Sequence, residues 1–227
     1  MARGRQFAVI GLGRFGSAMA STLAELGQDV IGVDGDSERV RQLADIVTQA
    51  VELDATDERA LRSVGIQDVD VAVVSIGENI ESSLLVVMQL RELGVKAIVA
   101  KAVTPLHGRI LEKLGVSRVI FPEREMAVRI AHGLVMPNVI DYIELSSDFS
   151  IVEVPAPEIF VGRTLKQLEL RPKYGLTLIA IKRRPAEGAA QVTNIAPSAE
   201  ETIRAGDVLS LLGSNERLAA LDAMLKR

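Results

Sequence analysis

The sequence contains no cysteine among its 227 residues, which excludes disulfide bonds, thiolate nucleophiles and metal or redox centres built on cysteine. It contains only two histidines, His107 and His132. A histidine general base or a cluster of histidine metal ligands therefore has almost no candidates. Because His107 lies near a predicted helix start, we expect it to be a packing or surface residue.

Long apolar runs and an excess of basic charge are absent as well. No window approaches the roughly 18 uninterrupted apolar residues of a membrane span, and the basic start Met1–Arg5 leads directly into a predicted strand. We therefore expect a cytoplasmic protein. The formal net charge of −4 provides no excess of positive charge to neutralise the phosphates of DNA or RNA, so we expect no nucleic acid partner.

The chain does have ample apolar sequence, 48% of its residues, arranged in two different patterns. As far as about residue 138, strand-like runs alternate with helical patterns, which is typical of a parallel sheet covered on both faces. The predicted strands are residues 6–11, 29–34, 47–53, 69–75, 97–101 and 117–121. From Val139 the pattern changes to strand-like alternation without a preceding crossover helix. We predict an α/β chain, with a doubly wound parallel Rossmann domain over residues 1–138 and a smaller α+β domain over 139–227.

The most informative motif joins the first two predicted strands. Phe7–Ile10 leads into the turn Gly11-x-Gly13-x-x-Gly16, which opens an amphipathic helix, and the second strand ends at Asp34. Gly11 allows a tight exit from the strand, Gly13 lets the backbone approach a phosphate, and Gly16 lets the helix pack closely on the sheet. The free N–H groups and the positive end of the helix dipole then form an anion site. Together these features predict a nucleotide-binding site.

Two side chains of this motif indicate which nucleotide is bound. Asp34 is placed to accept hydrogen bonds from an adenosine ribose diol, and its charge repels a 2′-phosphate, which disfavours NADP. Arg14 lies at the mouth of the helix, where a guanidinium suits a phosphate-rich ligand such as ATP or ADP. The alternative for Arg14 is a solvated side chain that covers the turn.

Residues that follow the later strands are further candidates, because ligands of open parallel sheets lie at the carboxyl ends of the strands. Asp54 could face the adenine side, whereas Thr56 is at least as well explained as a helix cap. After the fourth strand, Gly77 frees the backbone and Asn79 could either bind a ligand or cap a helix. Lys101 ends the fifth strand, where its ammonium would either meet a distal phosphate or reach solvent.

An NAD-dependent oxidoreductase with a small substrate domain is the alternative to a binding module. A hydride transferase needs a proton donor or acceptor beside its cofactor. From Tyr142 onward the sequence contains neither histidine nor cysteine, so a binding module without catalytic turnover fits better. A repressor lacks support, because no helix-turn-helix pattern or basic patch is present.

Two separated signatures carry a resemblance to a known family. The first is Gln6-Phe-Ala-Val-Ile-Gly-Leu-Gly-Arg-Phe-Gly16 with Asp34, Asp54-Ala-Thr56, Gly77-x-Asn79-x-x-x-Ser83 and Pro122-Glu123. The second is Val161-Gly-x-Thr164-Leu-x-x-Leu168-x-Leu170-Arg171-x-x-Tyr174-Gly175, followed by Ile179-Ala-Ile-Lys-Arg183, Gly206-Asp207 and Leu212-Gly213. Over nearly its whole length, the chain resembles the regulator of K⁺ conductance (RCK) proteins, in particular the cytosolic subunits of Ktr and Trk K⁺ transport systems, with RCK_N and RCK_C domains in that order.

The resemblance implies a regulatory function. Family members bind ATP and ADP, and some bind NAD or NADH, in the first domain. They form dimers that assemble into an octameric ring beneath a separate membrane subunit that translocates K⁺, and ATP favours the activated ring. In several relatives the second domain binds cyclic di-AMP at its dimer interface.

The resemblance also implies site residues, with Gly11, Gly13 and Gly16 at the phosphates, Arg14 at the terminal phosphate, Asp34 at the ribose and Asp54 at the adenosine. The other residues expected around the nucleotide are Phe15, Asp36, Ala55, Thr56, Ile76, Gly77, Asn79 and Lys101. Glu123 matches a position that helps to bind a cation, such as Mg²⁺, with the nucleotide, although the default interpretation from the residues alone is that it starts the following helix. Arg171 occupies the place expected for an arginine that contacts a cyclic di-AMP phosphate.

Overall fold

The computed structural model describes residues 4–136, 138–184 and 190–225, which pack as two compact units. The first unit ends at Pro122 and the second begins at Glu123. The domain boundary expected after residue 138 stays a prediction. Within the described residues, no helix is long and apolar enough to cross a membrane.

The first unit is a parallel sheet connected by helices. Its elements are β1 Gln6–Ile10, α1 Arg14–Glu25, β2 Asp29–Asp34, α2 Ser37–Leu43, β3 Gln49–Glu52, α3 Glu58–Ser63, β4 Val71–Val74, α4 Ile80–Glu92, β5 Ala97–Lys101, α5 Pro105–Lys113 and β6 Arg118–Ile120. The sheet order is β3-β2-β1-β4-β5-β6, which confirms the six predicted strands and the doubly wound class. The order reverses between β1 and β4, and this switch point is where open α/β sheets bind ligands.

Apolar layers cover both faces of this sheet. Ala8 and Ile10 of β1 belong to one buried cluster, while Val9 between them belongs to another. All three side chains are almost fully buried. Strands buried on both faces have continuous rather than alternating apolar sequences, which is why they could be recognised from the sequence.

The second unit is built on a five-stranded antiparallel sheet. Its elements are α6 Pro122–Val135, β7 Asp141–Glu144, β8 Phe149–Pro155, α7 Leu165–Leu168, β9 Thr177–Arg183, β10 Val192–Ile195, β11 Val208–Ser214 and α8 Asn215–Leu225, in the sheet order β10-β9-β11-β8-β7. The buried side chains of Phe160, Leu168, Leu209 and Leu211 form part of one core cluster. This mixture of helices and antiparallel strands confirms the smaller α+β domain.

A buried ion pair ties β9 to the turn before β11. Arg183 donates from Nε and Nη2 to the two carboxylate oxygens of Asp207, each at 2.7 Å, and Asp207 is only 1% exposed. The backbone N–H of Arg204 donates to the same carboxylate at 2.8 Å. Burial alone raises the pKa of Asp207, but the hydrogen bonds from Arg183 and Arg204 outweigh it and hold the pKa below its usual value.

We expect Asp207→Ala to lower the free energy of unfolding by about 3 kcal/mol or more at neutral pH, because Arg183 would remain half-buried without its main partner. The pKa of Asp207 is lower in the folded state, so its stabilisation is present above the pKa of unfolded aspartate and is lost in acid. The difference between wild type and variant should therefore shrink below about pH 4. Urea unfolding at several pH values measures this.

Glu200→Ala is the matched control, since Glu200 is exposed and forms a surface pair with Lys166 at 3.6 Å. An Asp207→Ala variant as stable as this control at neutral pH would contradict the role given to the buried pair.

Candidate functional site

The turn after β1 has a shape that two of its glycines make possible. Gly11 has a φ of +91° and donates from its N–H to the carbonyl of Val33 at 2.8 Å. A Cβ on Gly16 would collide with the Gly11 carbonyl oxygen and would lie 2.5 Å from Ser75 Oγ. Gly11 and Gly16 are therefore required by backbone conformation and by packing, as the sequence predicted.

Gly13 is different, because among the described residues neither its backbone conformation nor its packing requires a glycine. Its φ of −64° is open to any residue, and an added Cβ would meet no atom of the described protein within 4 Å. Gly13 is the N-cap of α1, and among the described residues no side chain caps this helix. The first helical bond runs from Ser17 N to Gly13 O at 2.8 Å, so the N–H groups before Ser17 have no partner within the helix. This helix start has the features of an anion-binding end.

Asp34 ends β2 and fixes the glycine-rich turn. Its Oδ2 accepts the N–H of Leu12 at 2.6 Å, and its Oδ1 accepts the N–H of Asp36 at 2.9 Å. Arg39 Nη1 lies 3.6 Å from Oδ2, and the Asp34 side chain is only 10% exposed. A carboxylate has about four acceptor positions, so Asp34 can hold the turn and still accept a hydrogen bond from a ligand hydroxyl.

Three other predicted residues come together beside this turn. Lys101 Nζ, at the end of β5, lies 5.9 Å from the centre of the Phe15 ring, close enough for a cation–π contact. A Cβ on Gly77 would be 3.4 Å from the same Nζ. Ile76 packs against the turn, since its backbone N would be 3.1 Å from a Cβ on Gly11. The loops after β1, β4 and β5 thus meet at one edge of the sheet.

Polar residues of the same edge organise the local backbone. Asp54 accepts hydrogen bonds from Thr56 Oγ1 at 2.7 Å and Thr56 N at 2.9 Å, which lowers the pKa of Asp54. Ala55 between them is buried. Asp36 caps α2 and Asn79 caps α4, each accepting N–H groups of the first turn. These capping bonds account for the two side chains without a ligand, and ligand contacts for them stay predictions.

Two predicted residues lie outside the first unit. Glu123 is in the first turn of α6, and Arg171 is in the helical turn Leu170–Tyr174. Among the described residues, no group of three acidic or histidine side chains could hold a metal ion. Roles for Glu123 and Arg171 stay predictions.

The second unit contains a pocket of about 600 Å³ that sequence reasoning did not identify as a site. It is lined by Ile181, Arg183, Arg184, Val192, Asn194, Arg204, Ala205, Gly206 and Asp207. Arg171 is not part of this lining. The sequence features that could have indicated this pocket are the adjacent basic residues Arg183 and Arg184 at the end of a predicted strand and the turn Gly206-Asp207.

The parallel sheet, the glycine-rich turn, the uncapped helix start and the strand-end carboxylate define the first unit as a Rossmann domain of the kind that holds nucleotides. The TrkA-N domain model matches residues 7–122, and the TrkA-C domain model matches residues 149–226. The chain belongs to the TrkA-N and TrkA-C family of RCK proteins, which confirms the resemblance found in the sequence.

Relatives support this assignment over nearly the full length. The chain is 42% identical to the Ktr system potassium uptake protein C of Bacillus subtilis (strain 168) over 210 residues, 92% of each chain. It is 39% identical to the Ktr system potassium uptake protein A of the same organism over 211 residues, 93% of this chain and 92% of the relative.

Solved RCK structures share the fold. The GsuK channel bound to NAD is 24% identical with a TM-score of 0.53, covering 98% of this chain and 38% of the channel chain. GsuK bound to ADP is 25% identical with a TM-score of 0.51, covering 60% of this chain and 35% of that one. The chain thus spans less than half the length of these channel chains.

Gly13, the N-cap of α1, and Gly16, in its first turn, should respond differently to substitution by alanine. We expect Gly16→Ala to destabilise the first unit by about 2 kcal/mol or more, because the Cβ collides with backbone. Gly13→Ala should cost at most about 1 kcal/mol, since alanine is only a poorer N-cap. Thermal unfolding of both variants measures this, and equal losses of stability would show that the packing argument is wrong.

Proposed function

We propose that this chain is a nucleotide-sensing regulatory subunit of a K⁺ uptake system, acting on a separate membrane subunit that translocates K⁺. The relatives that match it at 42% and 39% identity along 92% of their length are named as Ktr potassium uptake proteins. The observation that carries nucleotide sensing is the start of α1, where the described residues leave open space beside Gly13. The chain would work in the cytoplasm, held at the inner face of the membrane through its partner.

The proposed ligand is an adenine nucleotide. Its phosphates would lie against the N–H groups of α1 above Gly13, with its ribose at the remaining acceptor position of Asp34. Asp54 would face the adenosine, and Lys101 a distal phosphate. ATP and ADP are proposed first, because Arg14 at the mouth of the helix suits a terminal phosphate. GsuK structures are described as bound to NAD and to ADP, which makes NAD or NADH the other ligands to test.

Regulation would arise because ATP and ADP bind unequally to two conformations of an oligomer of this chain. In this proposal the chain forms dimers within an octameric ring, and Arg14 of one subunit contacts the γ-phosphate of ATP bound in its neighbour. Loss of that phosphate in ADP would release the activated shape. A shift from mostly inactive to mostly active needs about 5.5 kcal/mol of differential affinity, which phosphate contacts summed over several subunits can supply. Glu123 would help to hold a cation that accompanies ATP.

We expect Arg14→Ala to reduce the preference for ATP over ADP, because the lost guanidinium would contact only the terminal phosphate. Calorimetric titration of both nucleotides, with the mass of the assembly measured alongside, gives the ratio. Gly13→Ala is the matched control, since its Cβ would weaken ATP and ADP alike. If the ratio of the ATP affinity to the ADP affinity is the same in Arg14→Ala as in wild type, the role of Arg14 is refuted. Turnover of NAD with a small substrate would favour the oxidoreductase alternative.

The second unit is proposed to bind cyclic di-AMP in the pocket between β9, β10 and the turn before β11. Arg183, Arg184 and Arg204 bring positive charge to its lining, which suits phosphates. Ile181 and Val192 supply apolar surface for bases, and Asn194 supplies an amide. Arg183 is already bound by Asp207 and Glu201, so Arg184 and Arg204 are the better candidates for phosphate contacts.

We expect Arg184→Ala to weaken cyclic di-AMP binding by roughly tenfold or more, as for loss of a charged hydrogen bond. Arg171→Ala removes the same charge from the same unit away from the pocket lining, and it should leave the affinity unchanged. If Arg171→Ala weakened cyclic di-AMP binding and Arg184→Ala did not, Arg171 would be the phosphate contact, as first expected from the sequence.

A further inference from the structure

Arg39 is surrounded by three carboxylates at the edge of the nucleotide crevice. From the first turn of α2, its guanidinium lies 3.6 Å from Asp34, 3.6 Å from Asp36 and 3.7 Å from Glu78. Asp34 and Asp36 belong to the same side of the crevice as Arg39, since they end β2 and cap α2. Glu78 does not, because it lies in the loop between β4 and α4.

The contact between Arg39 and Glu78 joins the two sides of the crevice. Strands β2 and β4 pair with β1 on opposite sides, so a link between the elements that follow them passes the carboxyl end of β1. The Arg39 side chain is 40% exposed and that of Glu78 is 91% exposed, which places the pair on the solvent side. The Asp34 carboxylate, beside Arg39, also holds Leu12 of the glycine-rich turn.

The Arg39–Glu78 pair would affect the binding of a dinucleotide more than that of a mononucleotide. In the proposed binding mode, the phosphates of a mononucleotide would end at the start of α1, before the Arg39–Glu78 pair is reached. A dinucleotide must continue across the switch point toward β4, where Glu78 lies. We infer that the Arg39–Glu78 pair is a specificity-determining element that favours adenine mononucleotides over dinucleotides, an inference that rests on the proposed nucleotide site of the first unit.

Charge alone predicts the opposite effect of breaking the pair. At neutral pH, ADP carries more negative charge than NAD, so removing the Glu78 carboxylate would by simple repulsion help ADP more than NAD. If the pair obstructs the longer ligand, the same change helps NAD more. The sign of the change therefore separates the two explanations.

The test compares ADP and NAD by calorimetric titration of the full chain as wild type and as Glu78→Gln. We expect the affinity for NAD relative to ADP to rise roughly two- to fivefold, the range that exposed ion pairs contribute. Glu81→Gln is the matched control, because Glu81 is an exposed acid in the first turn of the adjacent helix α4. Its ratio should stay at the wild-type value.

A second variant tests the pair itself. Arg39→Gln should raise the same ratio, and the double variant Arg39→Gln with Glu78→Gln should exceed neither single variant, since both remove one contact. A ratio that stays constant in Glu78→Gln, or that moves toward ADP, overturns the inference while leaving the nucleotide site intact. If wild type binds neither ligand, the proposed function fails and the inference fails with it.

Discussion

The carboxylate of Asp34 is the contact on which the first unit's site depends. By accepting the N–H groups of Leu12 and Asp36, it connects the turn after β1 to the turn after β2. Asp34 thereby helps to hold the turn after β1, whose shape Gly11 and Gly16 make possible, and its Oδ2 lies 3.6 Å from Arg39 Nη1. A residue that the sequence predicts as a ligand contact therefore also holds the local backbone.

The sequence predicted the fold well because the strands are buried on both faces, as Ala8, Val9 and Ile10 illustrate. It also predicted the separate duties of Gly11 and Gly16, since those follow from backbone geometry. The contact between Arg39 and Glu78 could not be predicted in the same way. It joins side chains from loops on different sides of the sheet, and neither residue belongs to a motif.

The second unit shows a related limit of sequence reasoning. Arg171 stands in a recognisable motif, yet the described pocket is lined by residues from two strand ends and a turn. Arg183 and Asp207 line that pocket and also form the buried ion pair that ties β9 to the turn before β11. A ligand in this pocket would therefore meet charged groups that also form a structural contact.

Gly13 and Gly16 differ in whether the fold itself requires a glycine. Packing alone preserves Gly16, because its place is filled by the Gly11 carbonyl and Ser75. At Gly13, an added Cβ would meet none of the described residues within 4 Å. In a relative that had lost its ligand, packing would still require glycine at position 16, whereas a larger residue at position 13 would meet no steric clash among the described residues.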